Sequence, residues 1–154
     1  MLFRSTSLDA LALQLLSKPG FIQVMPELFV IAIDARMDEI YWALYSFSGL
    51  DGTSTRIGDI HLSKPEEIDL SNAQYIAGSA LTAYGARLFV NHSLPESAQD
   101  ADISISALGI INCAQQALKR NLQIPVTDLE PLYVRDKVAL TTKERILAFG
   151  KEQA

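Results

Sequence analysis

The stretch that decides the fold is residues 28–48, "LFVIAIDARMDEIYWALYSFS". Two β-rich runs flank a charged knot, "DARMDE". The run 28–33 is apolar without alternation, which predicts a strand over 28–36 buried on both faces. Residues 39–48 carry four aromatics and predict a second strand. After the turn cluster "GLDGTST" (49–55), the more polar "RIGDIHLS" (56–63) predicts a third. Short connections make these three an antiparallel meander.

Working outward, residues 7–17 predict an amphipathic helix with Ser7 as its N-cap and Asp9 in its first turn. "KPGF" (18–21) is read as its stop. "SKPEEIDL" (63–70) predicts a short helix and "AQYIAGSA" (73–80) a buried strand. Residues 81–91 are either a short helix or a helix-to-strand passage, and 93–102 a polar connection. Residues 103–120 predict a long helix capped by Asp102, with apolar residues near helical spacing at Ile103, Leu108, Ile111, Ala114 and Leu118. The final stretch from Pro131 begins extended and ends as a frayed helix. The order implies an α/β fold: a mixed sheet with helices packed on it.

With 49% hydrophobic and 20% charged residues, the 154-residue chain is globular in composition and long enough to bury a core. Residues 1–118 hold 6 basic and 13 acidic side chains, and residues 119–154 hold 7 and 5. An acidic body lacks the cationic face that stand-alone nucleic-acid binding needs. The single cysteine, Cys113, excludes an internal disulfide and fits a reducing compartment. No apolar run approaches the ~20 residues of a membrane span, and the first residues lack a secretory pattern. The expected location is the cytoplasm.

Little in the sequence points to chemistry. His61 and His92 have no neighbouring ligand at metal-site spacing. Cys113 reads as a small core hydrophobe, and Ser104 and Ser106 lie outside any nucleophile elbow. Asp34, Asp38 and Glu39 gather at the hairpin, but Arg36 sits among them, so a solvated tip is favoured over catalysis. The layout resembles the phosphate-binding hairpins of actin-like ATPases, yet "ARMDE" lacks the glycines that let backbone N–H groups approach a phosphate. No catalytic residue, cofactor or metal is expected.

At "IDARMDEIYWALY" and "EPLYVRDKVA" the sequence resembles the TsaB (YeaZ) family. Ile33, Asp34, Ala35, Arg36, Met37, Glu39, Tyr41 and Trp42 match one family pattern, and Pro131, Tyr133, Arg135, Val138 and Ala139 match another. "STSLDALA" (5–12) is similar to a family helix start. The resemblance covers residues 3–140 and implies a ribonuclease H-like lobe of the actin-like ATPase superfamily. It further implies that residues 1–154 are one domain, the C-terminal lobe of a two-lobed protein whose first lobe is absent here. Such a protein is a non-catalytic scaffold, not the glycoprotease of older family labels. Its partners would be a TsaD-like protein, and through the full-length protein a TsaE-like ATPase, in making threonylcarbamoyladenosine on tRNA. tRNA would be met only indirectly, a homodimer is compatible, and no membrane is involved. The signature residues Asp34, Arg36, Glu39, Tyr41, Tyr133 and Arg135 are the candidate partner contacts. Tyr133 and Arg135 share a face of an extended segment, either as a clasp in which Tyr133 packs and Arg135 meets a carboxylate, or as a tRNA or partner contact. Asp38 departs from the family's glycine, although aspartate tolerates a left-handed turn. The alternatives are half of an actin-like ATPase or small-molecule kinase that needs its other lobe, and a degenerate remnant.

Overall fold

The computed structural model describes residues 5–49 and 52–134. Among these residues five strands form one sheet in the order β3-β2-β1-β4-β5. Strands β1 (Leu28–Arg36), β2 (Glu39–Ser48) and β3 (Thr53–Ser63) make the expected antiparallel meander. β4 (Tyr75–Ala77) then adds parallel to β1, and β5 (Gln99–Asp100) parallel to β4. The continuous apolar run has its predicted consequence: Phe29, Val30, Ile31 and Ala32 are all wholly buried. β1 is the central strand and takes part in both cores. Phe29 and Ile31 face one layer, with Leu11, Leu15 and Phe21. Val30 and Ala32 face the other, with Ile68, Leu70, Leu81 and Leu88.

Helix α1 (Ser7–Leu15) starts one residue earlier in its capping logic than the sequence suggested. Thr6, not Ser7, is the N-cap: its hydroxyl accepts from the Asp9 N–H at 3.1 Å, and the Asp9 carboxylate accepts from the Thr6 N–H at 3.2 Å. The hydroxyl reaches the third helical amide, and Asp9 supplies the return bond of the box. "KPGF" proves to be a start as well as a stop. α2 (Pro19–Val24) begins there with Pro19 at its first position, where a missing N–H costs nothing. It puts Phe21 edge-on to Phe29, Phe47 and Tyr75 at 5.0–5.3 Å between ring centres.

The third strand begins at Thr53 rather than 56. The expected strand 73–80 shrinks to β4, because Gly78 turns the backbone to φ +125° right against Ala32 of β1. Residues 81–91 resolve as helix: α3 (Ala80–Tyr84) followed by a 3-10 turn over Gly85–Phe89. The polar connection 93–102 hides edge strand β5.

Helix α4 (Ala107–Lys119) begins four residues after the expected start. Asp102 does not cap it, since Ser106 stands at the N-cap position, four residues further on. Its apolar markers Leu108, Ile111 and Leu118 are each about half exposed, at 52%, 51% and 56%. The helix meets α1 through small residues: a Cβ on Gly109 would stand 2.6 Å from the Ala10 carbonyl oxygen. Cys113 packs beside it on Ala10 and Leu13. α1 is therefore covered on the sheet side and on the α4 side, which is why it is apolar nearly all round. The predicted C-terminal helix lies outside the described residues.

Candidate functional site

The charged hairpin is built on an improbable turn. Arg36, Met37 and Asp38 all have left-handed backbone, at φ +63°, +57° and +63°. Asp38 does what the resemblance anticipated, but Arg36 and Met37 share the conformation without aspartate's tolerance for it. Each such residue costs on the order of 1 kcal/mol, so the turn persists only if its surroundings impose it. Two sets of contacts do so.

The first set centres on Asp34. Its carboxylate accepts from the Arg36 backbone N–H and from the Tyr84 hydroxyl, each at 2.8 Å. The Arg36 guanidinium lies 3.4 Å away. The backbone N–H of Arg36, then the Tyr84 hydroxyl, hold the Asp34 carboxyl below the usual carboxylate range. The Asp34 N–H donates to Ser79 Oγ at the start of α3, and Tyr84 also donates to the Glu39 carbonyl. The second set is Arg87, which grips Asp38 with two guanidinium nitrogens at 2.6 and 3.0 Å. Its Nε donates to Glu66, and its guanidinium lies 5.5 Å from the centre of the Tyr84 ring. The tip is thereby fastened to the segment 79–87.

The sequence singled out six residues, and the structure places five of them. Asp34, Arg36 and Glu39 come together at the tip, with the Arg36 side chain 88% exposed. Tyr41 is half-buried on the opposite face of the sheet, packed on the α1 core. Tyr133 is 84% exposed, so the packed half of the proposed clasp is not formed. Arg135 lies outside the described residues. Arg87 and Tyr84, the residues that hold the tip, were missed. They sit about 50 positions from their partners in an unremarkable "TAYGARLF", and no local signal marks them.

Chemical groups elsewhere are kept apart. Cys113 lies between α1 and α4, where burial pushes its thiol up to about 11. His61 stacks on Trp42 at 4.5 Å, within the layer on the other side of the sheet. The sheet thus separates this thiol from that imidazole. Among the described residues no cluster of three or more His, Cys, Asp or Glu side chains is suited to hold a metal ion. No helix among them is long and apolar enough to cross a membrane.

The Arg87 clamp should carry a pH signature. The Arg87 guanidinium, by hydrogen bonding, holds the carboxyls of Asp38 and Glu66 low. Both titrate lower in the folded than in the unfolded chain. The clamp is therefore complete above the ordinary carboxylate range of about pH 4 and is lost as the pH falls through the depressed values. Arg87→Gln is expected to destabilise the chain at pH 7 and progressively less towards pH 3. Paired urea titrations of the two chains at several pH values check this, and a difference independent of pH would assign Arg87 a packing role.

The fold defines the class first: a mixed α/β protein with a three-strand antiparallel meander extended by two parallel strands. Solved YeaZ structures share it. One neighbour is an uncharacterized Pseudomonas aeruginosa protein with similarity to peptidase YEAZ, at TM-score 0.65 and 26% identity over 85% of this chain and 57% of that one. Another is YeaZ from Pseudomonas aeruginosa, at TM-score 0.64 and 24% identity over 83% of this chain and 56% of that one. The match is consistent with a YeaZ-like family. The chain spans a little over half the length of these structures. No protein-family model and no curated protein matches the sequence.

Proposed function

We propose that this chain is the second lobe of a TsaB-like (YeaZ-like) scaffold, of ribonuclease H-like fold in the actin-like ATPase superfamily. It works with a TsaD-like protein in the cytoplasm, in forming threonylcarbamoyladenosine on tRNA. The observation that carries this reading is the structural likeness over 85% of the chain at 26% identity. The strand order 3-2-1-4-5 supports the superfamily, and the hairpin residues that resemble the family signature support its finer branch. Asp34 of the signature is engaged in holding a turn rather than in aiming a nucleophile, in keeping with a non-catalytic role. Exposed Arg36 and Met37, presented on a rigid tip, suit a contact with a partner protein. An acidic lobe would meet tRNA only through a more basic assembly.

The test is co-purification of the full-length gene product with the TsaD-like protein, together with the modified nucleoside measured after depletion. Loss of the nucleoside is expected; unchanged tRNA modification rejects the proposal. Arg36→Glu is expected to weaken the complex while leaving the fold intact.

A further inference from the structure

Helices α1 and α4 and edge strand β3 enclose a crevice of about 300 Å³, on the sheet face opposite the segment that clamps the hairpin. Its floor is Tyr45 and Ser54, the latter buried at 5% exposure. The Tyr45 hydroxyl donates to Asp9 at 2.9 Å, and Asp9 also accepts from Thr6. This carboxylate is thus already committed to the cap of α1. Leu13, Cys113 and Leu122 supply an apolar wall.

Two guanidiniums border the space. Arg56 on β3 is 31% exposed, and its Nε stands 3.9 Å from Asp9, beyond hydrogen-bonding length. Arg120, just past the end of α4, donates to the hydroxyl of Thr55, the sequence neighbour of Arg56, at 3.2 Å. Among the described residues the crevice lining carries two cations and one anion, in a chain whose formal net charge is −5. The carbonyl end of α4 contributes about half a negative charge, less than Arg120 offsets. Both arginines line the crevice, Arg56 half-buried and Arg120 at its exposed rim, so an oxyanion there would meet charge with charge. At water's share of roughly 30 Å³ per heavy atom, the volume holds about ten such atoms.

We propose that this crevice binds a small molecule with one oxyanion head, carboxylate or phosphate, held by Arg56 and Arg120, and with a short apolar body along Leu13 and Leu122. This site is independent of the scaffold reading and stands or falls apart from it.

The test uses the full 154-residue chain at constant ionic strength, with benzoate, phenyl phosphate and inorganic phosphate as probes in calorimetry. Saturable binding is expected, tighter for one of the aromatic probes than for inorganic phosphate, and the better of the two identifies the head group. Arg56→Gln and Arg120→Gln should each weaken it about tenfold or more. Bound probe should also slow alkylation of Cys113 in the unmodified chain, a readout that needs no variant. Absence of saturable binding, equal affinity in folded variants, or alkylation indifferent to the probe would each overturn the site.

Discussion

Gly78→Ala is expected to cost about 4 kcal/mol, a large part of the 5–15 kcal/mol that holds a typical domain together. Two effects add. At φ +125° the backbone occupies a region that side chains avoid, worth roughly 1–3 kcal/mol. The new Cβ would also stand well inside contact distance of the Ala32 carbonyl oxygen, and overpacking of this kind costs about 1–3 kcal/mol. Neither side can yield cheaply. Ala32 is in the central strand, and the Gly78 N–H is fixed by a 2.9 Å bond to the Asp100 carbonyl of β5. Urea unfolding followed by the fluorescence of Trp42, the sole tryptophan, measures the loss. A cost under about 1 kcal/mol would mean that β4 can withdraw from β1 without penalty.

Phe21→Ala is expected to be of similar size, about 3–5 kcal/mol. The ring is wholly buried and touches Phe29, Phe47 and Tyr75, so its removal leaves a cavity bounded by three stiff aromatic neighbours. Such walls collapse poorly, which puts the cost high in the range. The neighbouring Ile22 is 51% exposed, and Ile22→Ala should change stability by no more than about 0.5 kcal/mol. Comparing the two by urea unfolding separates the packing of α2 from its helix propensity. Equal losses would place the value in the helix itself.

The meander was legible because the period of a strand and the chemistry of a turn are local. Residues 28–33 announce a central strand by lacking alternation, and the structure buries 29–32 completely. α2 was hidden because the proline of "KPGF" ends one helix and begins the next with equal ease. β5 consists of two polar residues, too few for any pattern, and it exists because β4 offers a free edge. Of the apolar residues spaced along 103–120, Ile103 enters the core ahead of the helix, whereas Leu108, Ile111 and Leu118 do not mark its contact surface. α4 touches α1 through a glycine and a cysteine, so its larger side chains remain at the surface. At the hairpin, Asp34, Arg36, Asp38 and Glu39 were visible as a cluster. Arg87 was not, because a contact across 49 residues leaves no trace in spacing.

The way α4 is attached bears on how the molecule breathes. The strands β1 and β2 share a long register and two buried faces, so opening them means unfolding the whole core. α4 rests on α1 along a narrow ridge, with Gln116 tied to the Ser54 carbonyl at 3.1 Å. Lifting it uncovers Ala10, Leu13 and Cys113 but leaves the two cores on either side of the sheet closed. Its release is therefore expected to be a local event that costs less free energy than opening the sheet beneath it.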